Sequence, residues 1–238
     1  MITSKPSAMM VGAVLAGMSS FTTAAFAVIN ADVTAPGDPI TGIFNTVAGG
    51  NSNTSTAGFG IGQFPSGEPP PNAIDNQFTN PYPAGQGKYL NFGMGTQGTS
   101  SATQGTQTGF FVTPASGPSI INAVRFAAAN DSATRDPLAI TIEGSNAVSG
   151  LDQGSAWTLI YSGTSGLDVD PGRFTQGPIV NFVNLVPYSS YRLLVTAQRG
   201  VDNSVQYGEV ELIGTTVPEP SVIMVLGLGG LLLGRRRG

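Results

Sequence analysis

Six stretches in the second half of the chain run apolar, or alternate apolar with polar positions, over six to nine residues: 120–127 (IINAVRFA), 138–145 (LAITIEGS), 157–162 (WTLIYS), 179–185 (IVNFVNL), 191–197 (YRLLVTA) and 205–213 (VQYGEVELI). An extended chain points successive side chains to opposite faces, so each stretch predicts a strand with a buried face. In 138–145, Leu138, Ile140 and Ile142 share one face, while Ala139, Thr141 and Glu143 share the other. Turn formers separate the stretches: Asn130-Asp131, Ser145-Asn146, Ser165-Gly166, Asp170-Pro171-Gly172 and Asp202-Asn203. No stretch between the two ends has the period of an amphipathic helix. Short strands punctuated in this way predict an all-β, antiparallel sandwich.

The first half is looser. Residues 48–57 (AGGNSNTSTA), 64–72 (FPSGEPPPN) and 95–109 (GTQGTSSATQGTQTG) are too rich in Gly, Ser, Thr and Pro to read as strands. The last predicts a flexible insertion between Tyr89-Leu90-Asn91-Phe92 and the GFFVT of 109–113. Its repeated T-Q-G is low complexity and not a structural repeat. No domain boundary appears before Gly214.

The two ends break the pattern. Residues 1–27 read as a signal peptide: Lys5, an apolar run at 8–18, then Ala25-Phe26-Ala27 as a small-x-small cleavage site. The chain closes with VPEPSVIMVLGLGGLLLGRRRG at 217–238. Its uncharged run, 221–234, makes roughly 21 Å of helix at 1.5 Å per residue, against about 30 Å of bilayer core. That is short for a permanent span, yet long enough to hold the chain if the bilayer thins and the arginines snorkel. Lys5 at one end and Arg235, Arg236 and Arg237 at the other both stay inside, so residues 28–214 form one exported domain ahead of a 215–238 tail.

Composition narrows the function classes. Between residues 28 and 218, six lysines and arginines face thirteen aspartates and glutamates, a net charge of −7 by that count. Such a surface argues against nucleic acid or an anionic membrane as partner. The chain has no Cys, so an exported domain must be held by its core alone. It also has no His. Imidazole bases, Ser-His and Cys-His nucleophiles and His-rich zinc sites are therefore excluded, and no carboxylate pair sits in a recognisable catalytic motif. The reading is a non-enzyme.

In the middle of the chain, AANDSATRDPLAITIEGSNA (128–147), WTLIYSG from Trp157, YRLLVTA from Tyr191 and GEVELIG from Gly208 occur in an order that resembles the discoidin-type, galactose-binding-like modules. The resemblance reaches back to NAIDN at Asn72 and implies a jelly-roll-like β-sandwich, here flanked by an N-terminal signal helix and a short C-terminal transmembrane helix. It also implies a structural Ca2+ where an early loop meets the last strand. Asp75 would give a carboxylate, Asn72 and Gln77 carbonyl oxygens, and Glu209 with the Gly208 carbonyl would come from the strand; an Asx-turn at Asp75 and a solvated Glu209 are the plain alternative. Glu211 reads as merely outward-facing. Arg125, Arg135 and Asp136 read most simply as a local ion pair at the entry to a strand. Trp157 and Arg192 fall where the family braces its core.

A sugar site in this family uses a loop aromatic with polar groups. Tyr82 is the most loop-like candidate, ahead of Phe59, Phe64 and Tyr161.

The tail is similar to PEP-CTERM sorting signals. That resemblance rests on Val217, Pro218, Glu219 and Pro220, the short apolar run and the terminal arginines. It implies transient anchoring in the inner membrane of a Gram-negative bacterium and processing by an exosortase-type enzyme; a plain single-pass anchor is the alternative. The combined expectation is a non-catalytic cell-envelope or extracellular-matrix protein associated with exopolysaccharide, with a carbohydrate-binding module that holds exopolysaccharide as the second reading.

Overall fold

A computed structural model of the chain describes residues 30–78 and 87–217. The signal segment, Tyr82 and the tail from Pro218 onward lie outside the described residues. Among those residues, no helix is long and apolar enough to cross a membrane.

The strands are β1 (Ala31–Asp32), β2 (Ile40–Phe44), β3 (Asn53–Thr54), β4 (Thr56–Ala57), β5 (Gln63–Phe64), β6 (Tyr89–Asn91), β7 (Thr108–Val112), β8 (Ser119–Ala127), β9 (Pro137–Ser145), β10 (Thr158–Thr164), β11 (Val180–Asn181), β12 (Ser190–Gln198), β13 (Val205–Tyr207) and β14 (Glu209–Thr216). Two antiparallel sheets dominate, one in the order β1-β14-β8-β11 and the other β10-β9-β12-β7-β2-β3. Residues from both sheets fill one core: Val124, Phe126, Val210 and Leu212 from the first, Phe110, Ile140, Ile142, Leu193 and Val195 from the second. Tyr207 stands among them, its ring edge-on to Tyr89 at 5.6 Å and to Phe126 at 5.3 Å. The expected β-sandwich is therefore the fold.

The strand pattern holds at β8, β9, β10 and β12 and departs in two places. The 205–213 run splits at Gly208: β13 pairs with β6, and β14 pairs with β8. Core positions step from 205 and 207 to 210 and 212, a one-residue slip in phase that carries Glu209 and Glu211 off the core side. The 179–185 run yields only the two-residue β11. Asn184 turns the chain away there, its side chain donating to the carbonyls of Ile121 and Val186 and accepting the Val186 N–H. Val183 and Leu185 are left exposed, while Phe182 stacks on Tyr161 at 4.9 Å.

Residues 95–109, expected as a flexible insertion, make hydrogen bonds to distant parts of the chain along a path that runs into β7. Gly93 and Gln104 touch through their backbones, where a Cβ on Gly93 would lie 1.9 Å from the Gln104 carbonyl oxygen. Gln104 is buried and donates to the carbonyls of Thr96 and Asn203. The Gly105 N–H donates to Gln198 Oε1 at 2.7 Å. A polar segment can hold one path when its amides and hydroxyls close on each other, even without apolar side chains to bury.

The outer face of the larger sheet carries the brace expected of Trp157 and Arg192. Arg192 is fully buried, donates to Glu143 Oε2 at 2.7 Å and to Gly50 O at 2.8 Å, and lies 4.9 Å over the Trp157 ring. The second Glu143 oxygen accepts the Gly49 N–H at 2.7 Å, so the 45–54 loop is folded down onto the pair.

Candidate functional site

Two places among the described residues stand out for the polar groups they gather. The first is where the 72–77 loop meets β14. A 3-10 turn over Pro70–Ala73 buries Ala73 and leads into buried Ile74, which draws the following residues against the sheet. Asn76 takes a left-handed φ of 60°, and its N–H donates to Glu209 Oε2 at 2.8 Å. Glu209 is 1% exposed, and its other oxygen, Oε1, is buried with no partner. Burial pushes the Glu209 carboxyl up to about 9; the nearby Asp75 charge adds to the shift and the Asn76 N–H opposes it. The Asp75 carboxyl is also raised by burial, against the Gln77 N–H that it accepts at 2.9 Å.

The structure thus brings Asp75 and Glu209 together and makes an Asx-turn at Asp75, while Glu209 is buried and not solvated. Asn72 is buried, and its amide nitrogen braces the loop by donating to the carbonyls of Gly67 and Lys88. The Gly208 N–H continues the ladder to Ala127. Asp32, which the sequence reading overlooked, adds negative charge beside Glu209. Its Oδ2 is buried without a partner, and burial pushes its carboxyl up to about 6. Among the described residues, no three His, Cys, Asp or Glu side chains converge on a single ion position. An ion here would need Asp75 and Glu209 plus neutral oxygens, a donor set that suits a hard divalent cation.

The second place is a hollow of about 380 Å3 walled by the 94–104 loop, with Met94, Thr96, Thr99, Thr103 and Gln104 on one side and Ile61 on the other. Phe59 is tied to the same loop without lining the hollow: its carbonyl accepts the Gln97 N–H, its ring lies 6.2 Å from Phe92, and it is 55% exposed. No charged residue lines the hollow. Thr99 hydrogen-bonds Gln104 Oε1 at 3.0 Å, which holds the wall in shape, and Ser101 ties the loop to Asp202 through paired backbone bonds. Of the aromatics raised from the sequence, Phe59 alone among the described residues bonds the loop that walls this hollow, through its carbonyl. Phe64 packs edge-on to Tyr89 against the core, and Tyr161 is covered by Phe182. The hydroxyls of this wall come from the segment that sequence reasoning set aside as an insertion; the repeated T-Q-G is the signal that marked it.

Among the described residues, every lysine and arginine is engaged. Arg125 pairs with Glu211, directly opposite it on β14, through both carboxylate oxygens. The expected local pair of Arg135 with Asp136 is not formed. Arg135 reaches Asp202 at 2.8 Å, and fully buried Asp136 takes both ends of Arg173. The turn at 133–135 points these neighbours to different partners, so the ions lock distant loops together instead of closing one locally.

No protein-family model and no curated protein matches the chain in sequence. Solved structures with a similar fold include sugar-binding proteins. One is a fucolectin from striped bass serum, at 14% identity and a TM-score of 0.48, with 81% of this chain and 51% of that one covered, about half its length. Another is the family 32 carbohydrate-binding module of Clostridium perfringens NanJ in complex with galactose, at 8% identity and TM-score 0.46, covering 78% and 99%. A third is the family 32 module from Streptococcus pneumoniae EndoD, at 11% identity and TM-score 0.45, covering 77% and 98%. At these levels the likeness concerns the course of the chain and brings no ligand with it.

Proposed function

We propose that this chain is an exported, non-catalytic carbohydrate-binding module whose sugar site is the hollow walled by residues 94–104. The observation that carries the reading is chemical. An uncharged hollow sets threonine and serine hydroxyls beside Met94 and Ile61, and the exposed Phe59 belongs to the adjoining loop, whose carbonyl bonds the Gln97 N–H. A pyranose offers hydroxyls at its rim and C–H faces above and below, so it needs both kinds of surface at once. Calorimetry against a panel of neutral glycans is expected to find a ligand whose affinity falls about tenfold or more in Phe59→Ala, the loss of roughly 1.4 kcal/mol of stacking. Binding to no member of the panel would overturn the reading.

The ends of the chain supply the route. The signal peptide and the Val217-Pro218-Glu219-Pro220 tail support delivery through the inner membrane to the cell envelope or matrix, with an exosortase-type enzyme acting on the tail and extracellular polysaccharide as the partner. Intact mass of the protein from its own host is expected to lack Arg235, Arg236 and Arg237; their retention would refute processing.

Calcium belongs to the same proposal. Asp75 and Glu209 would hold it, with oxygens drawn from Asn72, Gln77 and Gly208, and the unpartnered Glu209 oxygen is what favours it. When bound, the ion neutralises the buried charge and fastens the 72–77 loop to β14.

A further inference from the structure

The Thr-Gln repetition that walls the first hollow continues past it. Beyond Gly105 the chain enters the larger sheet ahead of β7, the Gln107 N–H donating to the Val195 carbonyl of β12, and there Thr106 and Gln107 form one wall of a second hollow of about 200 Å3. Its floor is Thr141 and Leu194, which face each other across the β9–β12 register, and Val47 and Thr196 close it. Thr141 is 6% exposed, and its hydroxyl oxygen is buried with no partner. A buried hydroxyl without a hydrogen bond is a cost that a packed sheet face ordinarily avoids with Val. No charged residue lines this hollow either.

One loop serves both hollows, with Thr103 and Gln104 in the first and Thr106 and Gln107 in the second. Gly105, between them, is held from beneath by Gln198, and a Cβ there would come within 2.5 Å of Val205. The ridge between the hollows is therefore fixed, and residues 103 and 107 can lie at most about 14 Å apart along the chain. Building on the sugar-binding reading above, we infer that the two hollows are subsites for one neutral glycan chain laid across the 103–107 ridge, each taking a sugar residue.

Titration of the full chain with neutral oligosaccharides of one to six residues from gluco, galacto, manno and N-acetylglucosamine series, and with uronic-acid oligomers of the same lengths, tests this. Affinity is expected to rise about tenfold or more from the monosaccharide to the longer neutral chains, because the second contact is made at high effective concentration. Thr196→Trp places a ring in the second hollow from an exposed position, and Thr141→Val removes the unpartnered hydroxyl. Both are expected to abolish the gain with length, and Thr141→Val does so with an unlowered melting temperature, since that hydroxyl has no bond to lose. A gain that persists in both variants, monosaccharide binding with no gain in the unaltered protein, or tighter binding of the uronic-acid series overturns the two-subsite inference alone. Binding to none of the sugars overturns it together with the reading on which it rests.

Discussion

Two buried glutamates, one on each sheet, meet opposite fates. Glu143 on β9 is fully buried, and both its oxygens are matched, by the Arg192 guanidinium and the Gly49 N–H. Glu209 on β14 is equally buried, yet it receives one N–H from Asn76, keeps an orphaned oxygen and lies beside the Asp75 charge. Taking a carboxylate out of water is unfavourable unless a cation or several donors replace the lost hydration. On the larger sheet the cation is built into the sequence. On the smaller one no such cation is built in: the carboxyl keeps its proton instead, its pKa pushed up to about 9 by burial, and a cation from solution is what the calcium proposal would add.

The sharpest way to break the comparison is to make Glu143 resemble Glu209. Arg192→Met leaves Glu143 buried beside apolar atoms and is expected to lower stability by about 3–5 kcal/mol in denaturant unfolding. Adding Glu143→Leu to it is expected to recover a large part of that loss, because the stranded charge and not the missing contact dominates. A single variant within about 1 kcal/mol of the parent would mean that the pair is solvated in practice.

The converse experiment supplies Glu209 with its cation. Millimolar calcium is expected to raise the melting temperature relative to chelator. An ion at a hundred times its dissociation constant adds roughly 2.7 kcal/mol, which corresponds to several degrees for a domain of this size. Glu209→Gln is expected to remove the response while leaving the chelated protein no less stable, since an amide is easier to bury than a carboxylate. Equal melting in calcium and chelator would end the metal proposal.

How legible this contrast is in the sequence depends on what sets each feature. Alternation at 138–145 places Ile140 and Ile142 inward and Glu143 on the opposite face, and the structure agrees, because burial of one sheet face is a local, period-two property. The partner of Glu143 lies 49 residues away and rests on the pairing of β9 with β12, which no local pattern encodes. The phase slip at Gly208 is visible after the fact in V-Q-Y-G-E-V-E-L, whose apolar positions jump from 207 to 210. A single glycine does not announce that it divides two sheets. In the 95–109 loop low complexity conceals contacts made at long range, by Gln104 to Asn203 and by Gly105 to Gln198. The expected site loop at 72–77 did meet the last strand, but whether it holds a metal depends on oxygens that the sequence only suggests.

A third carboxylate, less buried than either glutamate, sharpens the comparison with the smallest effect. Asp202 is partly buried, which works to raise its pKa, but donors from Ser132, Thr134 and Arg135 overcome this and hold it well below its ordinary 3.8. A depressed folded pKa means that the unfolded chain takes up a proton first. The stabilisation from Asp202 is therefore complete above its unfolded value of about 4 and is lost as the pH falls toward the lower folded value. Asp202→Asn is expected to cost about 1 kcal/mol near neutrality and to flatten the decline in melting temperature below about pH 4. Because Ser101 bonds the Asp202 backbone, the substitution leaves that tether to the 94–104 wall in place, so sugar affinity should change less than stability. An unchanged acid slope would show that the hydroxyls and Arg135 are as content with water as with this aspartate, and that only full burial, as at Glu143, turns a matched charge into a structural element.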